Sequence, residues 1–168
     1  MKTVYISGSI TDQKSGQPRE GWQKDFLDAE ARLRRMGFSV INPVDIAREV
    51  EDANRWQYEC TAHACTCNGE PTPPTRADYI MACLQRMKLN HTFGHLDAVY
   101  VIGDNVACYE SRGVQMELSL AEVLGVPIYA ECRTDCRVDH NIVALPGEGG
   151  IEELLKEDWL WQEGKKQK

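Results

Sequence analysis

The chain has 168 residues, of which 42% are hydrophobic and 27% charged, the composition of a folded domain able to bury a core without disulfide staples. Its 26 acidic and 19 basic side chains leave a net charge of −7, which argues against duplex nucleic acid as a partner, since binding phosphates needs a basic footprint. No apolar run approaches the roughly 18 residues of a membrane span, and the opening MKTVYISGSI is expected to be a strand rather than an export signal.

In chain order, Val4-Tyr5-Ile6 reads as a buried strand stopped by Ser7-Gly8-Ser9. Residues 11–21 are polar and carry Gly16, Pro18 and Gly21, so a loop is expected there. Trp22, Phe26, Ala29, Leu33 and Met36 recur at near-helical spacing before Gly37, and Phe38 to Ile41 forms a second strand that Asn42-Pro43 ends. Residues 44–59 look helical and polar. Cys60 to Pro74 is rich in Cys, Thr, Gly and Pro and reads as irregular, the core of an insertion spanning about residues 52–75. A helix over Asp78 to Lys88 presents Ile80, Met81, Leu84 and Met87; a polar turn with His91 and His95 leads to the strand Ala98 to Ile102. Met116, Leu120, Val123 and Leu124 mark another helix ended by Gly125, then Val126 to Tyr129 a strand, and Ile151 to Trp159 a last helix.

This alternation predicts an α/β fold, a flavodoxin-like or Rossmann-like parallel sheet flanked by helices with a Cys-rich insertion. One domain is expected over 1–160, with 161–168 frayed and the chain cytoplasmic. Ligands of such sheets sit at the carboxyl ends of the strands. That rule selects the loop after the first strand, Ser7 to Thr11, and the loop after the central strand, Gly103 to Gly113. Ser111, Arg112 and Gly113 precede a helix whose free N–H groups can hold an anion. On spacing alone the plainer reading is local: Ser111 caps the helix, Gly113 relieves crowding and Glu117 complements the dipole.

Tyr5-Ile6-Ser7-Gly8-Ser9-Ile10, Phe26…Ala29-Glu30…Leu33…Gly37, Val40-Ile41-Asn42-Pro43, Asp97-Ala98-Val99-Tyr100 and Ser111-x-Gly-x-x-x-Glu117…Ala121…Leu124-Gly125 stand in one order along the chain. In that order they resemble the nucleoside 2-deoxyribosyltransferase-like superfamily, above all its small phage and bacterial members. The Ser-x-Gly-x-x-x-Glu segment is also similar to that of the 2′-deoxynucleoside 5′-phosphate N-hydrolases. The resemblance covers about residues 1–43 and 76–130. It implies cleavage of an N-glycosidic bond with Glu117 as nucleophile and Ser111 as the serine that holds a 5′-phosphate. It further implies that Gly8, Ser9 and Ile10 line the sugar and base pocket, and that Gly113 lets backbone approach the ligand. No cofactor is required, and a homodimer or larger assembly is implied. The family carries an aspartate in the helix before the central strand; a gapless match of Asp78-Tyr79 puts Cys83 at that place, and counting back from Asp97 lands on Leu89. Asp78 and Asp97 are the candidates to replace it, although Asp97 also reads as a plain polar residue opening a strand.

The chemistry agrees with those roles. Losing a base from deoxyribose passes through an oxocarbenium-like state that an ionised carboxylate under C1′ stabilises or captures. Near a helix N-terminus Glu117 is expected to stay ionised at neutral pH.

The seven cysteines are odd in number and lack an export signal, which favours reduced thiols or a metal site over a disulfide framework. Cys60, His63, Cys65 and Cys67 could hold a structural zinc, although C-x4-C-x-C is not a knuckle spacing. Cys132, Cys136 and His140 offer further ligands at every fourth residue. The leading expectation is an enzyme acting on a (deoxy)nucleoside or its 5′-monophosphate. Its rivals are a non-catalytic nucleotide-binding protein and a zinc-stabilised interaction module built on residues 52–75.

Overall fold

In the computed structural model the described residues are 1–11, 15, 17–64, 73–103, 111–131, 145–146, 151 and 154, with backbone alone for 55–64 and 145–146. Strand β1 (Thr3–Ser7) pairs in parallel with β2 (Ser39–Ile41) on one side and β3 (Ala98–Val101) on the other. Beyond β3 lie β4 (Ile128–Ala130) and β5 (Leu145–Pro146), also parallel. The order β2-β1-β3-β4-β5 is the flavodoxin-like one. The expected α/β fold is therefore present.

Side chains alternate across the strands, and that alternation builds two cores. Val4 and Ile6 of β1, with Ala98 and Tyr100 of β3, pack against Phe26, Ala29 and Leu33 of helix α1 (Trp22–Arg35). Tyr5, Val99 and Val101 point the other way. There they meet Cys83 and Met87 of α3 (Arg76–Thr92) and Val114, Leu118 and Ala121 of α4 (Arg112–Leu124). Helix α2 (Pro43–Ala64) enters through Asn42, whose Oδ1 accepts from the Val44 N–H at 3.0 Å, with Pro43 preset for the first helical position. Gly125 ends α4 at φ 69°, a left-handed turn that returns the Val126 N–H to the Ala121 carbonyl.

The structure corrects several expected boundaries. Helix α2 runs on through Cys60 to Ala64, so the first part of the supposed irregular insertion is helical; residues 65–72, which hold the rest of it, lie outside the described residues. Helix α3 is longer at both ends and includes His91, because a Thr75–Asp78 capping box starts it before the first apolar residue. Phe38 and Val126 lie outside their strands although both are buried. Two-residue β5 had no alternating pattern to reveal it, and its Pro146 is at home on the edge strand. Of the expected last helix, Ile151 and Leu154 are described; both are helical and buried against the α1 face. Among the described residues no helix is long and apolar enough to cross a membrane.

Candidate active site

The chain moves outward from β1 to β2 and then crosses back to β3, leaving a crevice above the carboxyl ends of β1 and β3. A cleft of about 510 Å³ opens there, within the range of small-molecule sites. Gly8 and Ile10 line it from the loop after β1, and Ser111, Gly113 and Glu117 from the start of α4. Five of the residues singled out in the sequence thus meet in one cavity.

Glu117 lies in the second turn of α4 and is 8% exposed. Its carboxylate is gripped from the strand: the Tyr5 hydroxyl donates to Oε1 at 2.6 Å and the Ser7 hydroxyl to Oε2 at 2.6 Å. Tyr5 and Ser7 are two apart on β1 and so share the face turned toward α4. Burial pushes the Glu117 pKa up to about 7, and the hydrogen bonds from Ser7 and Tyr5 pull against that rise. Glu117, expected to stay ionised at neutral pH, is instead shared between both forms there at a pKa of about 7, because the loss of water outweighs the two hydrogen bonds. Burial, then the nearby Glu117 charge, raises the Tyr5 hydroxyl well above its ordinary range. Cys83, hydrogen-bonded to Tyr5 and also lining the cleft, is pushed up to about 12 by the same two causes, so it is a neutral thiol.

Ser111 occupies the N-cap position of α4 but its side chain makes no capping bond, contrary to the plain local reading. It is 4% exposed and lines the cleft. Gly113 has room for a methyl group, with Ile80 3.8 Å from an added Cβ. At Gly8 an added Cβ would stand 2.6 Å from Ile102 Cγ1 and 3.0 Å from Phe26 Cζ, so that glycine is required by packing below the loop. Ser9 does not line the cleft; its hydroxyl donates to the Thr11 carbonyl at 3.1 Å and shapes the loop.

The two aspartates expected to replace the family residue are elsewhere. Asp97 sits before β3, at the amino end of the sheet, where it accepts from the Thr3 N–H at 2.7 Å and pairs with Lys2 at 3.4 Å. Asp78 closes the capping box of α3, and its bonds from Thr75 hold its pKa below the ordinary value. Neither lines the cleft. Among the described lining residues the second carboxylate is Glu51 of α2, which accepts from the Tyr79 hydroxyl at 3.4 Å. Nothing in the local sequence marks Glu51; Tyr5 and Ser7 were legible as one face of a strand but not as partners of Glu117.

The metal candidates Cys65 and Cys67 lie outside the described residues, as do Cys132, Cys136 and His140, and of Cys60 and His63 the backbone alone is described. Among the described residues no three His, Cys, Asp or Glu side chains converge on a metal position. Comparison of the chain with protein families, with curated proteins and with solved structures finds no match.

Proposed function

We propose that the chain cleaves or transfers the N-glycosidic bond of a (deoxy)nucleoside or its 5′-monophosphate, with Glu117 as nucleophile, and acts in the cytoplasm as a homodimer or larger assembly. The observation that carries this reading is a buried glutamate held by two strand hydroxyls in the wall of a cleft at the switch point of the sheet. The ordered likeness to the deoxyribosyltransferase-like superfamily adds the bond to be broken. A carboxylate oxygen keeps a second lone pair after accepting one hydrogen bond. Tyr5 and Ser7 can thus fix the carboxylate while an oxygen attacks C1′. As the C1′–O bond forms, the C1′–N bond breaks and its electron pair leaves with the base, which takes up a proton. Water or a second base then attacks C1′ and frees Glu117. Glu51, the other carboxylate on the cleft, is the proton carrier this reading supplies in place of Asp78 and Asp97.

Glu117→Gln should cut base release by about a thousandfold or more, the scale of losing a preorganised electrostatic contact, while ligand binding survives. A slow 2-fluoro-2-deoxy substrate should leave a sugar adduct on the wild-type peptide that contains Glu117, read by mass spectrometry. Because attack needs the ionised form, base release should rise from the acid side through about pH 7 and then level. Robust turnover by the Gln variant would refute the assignment.

The rival reading, a non-catalytic nucleotide-binding protein, is favoured by one observation: Cys83, which the gapless match sets at the family's aspartate position, lines the cleft as a neutral thiol. Ligand binding with no base release by the wild type would decide for it.

A further inference from the structure

Two carboxylates line the cleft among the described residues, and each is met by a tyrosine hydroxyl. Tyr5 donates to Glu117 at 2.6 Å and Tyr79 to Oε1 of Glu51 at 3.4 Å. Their surroundings differ. Glu117 is buried on α4, whereas Glu51 is exposed on α2, at the end of the stripe Pro43, Ala47 and Glu51 that lines the cleft at every fourth residue. Two carboxyl groups in unlike environments can divide the work of one reaction. The buried one has little water competing for its lone pairs, and the exposed one can exchange its proton with solvent.

Helix α3 sets the spacing between the two pairs. Tyr79 and Cys83 stand at i and i+4 and both line the cleft. Cys83 is hydrogen-bonded to Tyr5, the partner of Glu117. The Glu51 pair therefore meets α3 one turn nearer its start, about 6 Å of helix rise away. Glycosidases hold their two carboxyl groups on that scale, roughly 5–10 Å apart, one at C1′ and the other at the departing atom.

Tyr79 is what orients Glu51. Arg48 and Arg86 of the same two helices are taken by Asp45 and Glu49, and Glu51 makes no ion pair among the described residues. Burial, then the Glu51 charge, raises the Tyr79 hydroxyl above its ordinary range, so it stays protonated and serves as a donor. Its bond occupies Oε1 and leaves Oε2 to the cleft. At 3.4 Å it is long for O–H···O, as catalytic bonds often are before a substrate tightens them.

We propose that Tyr79 is the positioning residue of the proton carrier, its hydroxyl fixing Glu51 so that Oε2 meets the leaving base. The inference rests on the glycosidic reading above. As the C1′–N bond breaks, its electron pair stays on the base nitrogen and takes the Glu51 proton. When water or a second base attacks C1′ and the bond to Glu117 breaks, Glu51 takes the proton that the attacker loses. Both carboxyl groups are thereby restored.

Leaving-group dependence tests this in single turnovers of the full chain. The substrates are a deoxynucleoside, or its 5′-monophosphate, and the 4-nitrophenyl 2-deoxyriboside of the same phosphorylation state, whose nitrophenolate departs without a proton. Glu51→Gln should slow base release about 100-fold or more, the scale of general-acid catalysis, and nitrophenolate release by less than about threefold. Tyr79→Phe should slow base release roughly 5- to 10-fold, the scale of one hydrogen bond, and spare nitrophenolate, with KM and melting temperature nearly unchanged. In the Glu51→Gln background Tyr79→Phe should add no further loss, because it acts through Glu51. Equal slowing of both leaving groups, an undiminished Tyr79→Phe loss in that background, or no loss in either single variant overturns the inference. A wild type that binds these ligands but releases neither base nor nitrophenolate overturns the glycosidic reading, and this inference with it.

Discussion

At the scale of single residues, Glu117 sets function against stability. Its pKa stands near 7 in the fold because the ionised side chain has lost its water. The native state therefore keeps a proton that the unfolded chain releases at about pH 4.5, and stability from this group falls as pH rises between those values. The full cost, on the order of a few kcal/mol, applies above pH 7. Glu117→Gln carries no such charge. In urea titrations the variant should gain on the wild type by up to about that amount near pH 8, and the gain should vanish near pH 4. A difference independent of pH would mean that the Gln variant changes packing instead. Ser111 gives a second residue-scale test: Ser111→Ala should weaken a monophosphate by roughly 1–2 kcal/mol and leave the nucleoside almost unchanged, the scale of one bond to a charged group. Equal losses would make Ser111 a structural residue.

At the scale of elements, the two glycines singled out around the cleft separate. Gly8 passes directly over Ile102 and Phe26, so Gly8→Ala should cost roughly 1–3 kcal/mol of stability through overpacking. Gly113 lies in the first turn of α4, where an added Cβ would rest in ordinary contact with Ile80, 3.8 Å away, without a clash. Gly113→Ala should hold or raise the melting temperature, since alanine favours the helix by up to about 1 kcal/mol. It should nevertheless weaken ligand binding, because the new methyl enters the cleft between α3 and α4. Thermal melts with and without a monophosphate distinguish the two glycines in one experiment.

At the scale of the molecule, the sheet decides which loops meet. The parallel β1–β3 pairing, Val4 opposite Ala98 through Ser7 opposite Val101, brings the chain after residue 7 against the chain after residue 101. Helix α4 then lays Glu117 across the end of β1. The cysteine-rich segment after α2 adds a whole-molecule test. If Cys60, His63, Cys65 and Cys67 hold zinc, the purified protein should contain about one metal per chain and chelation should lower its melting temperature, because binding energy at such sites is folding energy. Metal-free protein with an unchanged melting curve would end that reading.

The sequence by itself determined the class of fold and the loops that carry the cleft. Period-two and near-3.6 patterns are local, so β1, α1, β3 and α4 could be read from Val4-Tyr5-Ile6, from Phe26, Ala29 and Leu33, from Ala98 to Val101 and from Leu120 to Gly125. Turn and cap chemistry is local too, which is why Asn42-Pro43 and Gly125 marked real ends. Tertiary structure alone decided the partners of Glu117, which stand 112 and 110 residues away on β1, and with them its pKa. It also decided that Asp97 serves the amino end of the sheet, that Asp78 is consumed by a cap, and that Glu51 and Arg76 face the cleft. Burial and hydrogen-bond partnership depend on which segments the sheet order brings together, and no window of neighbouring residues contains that information.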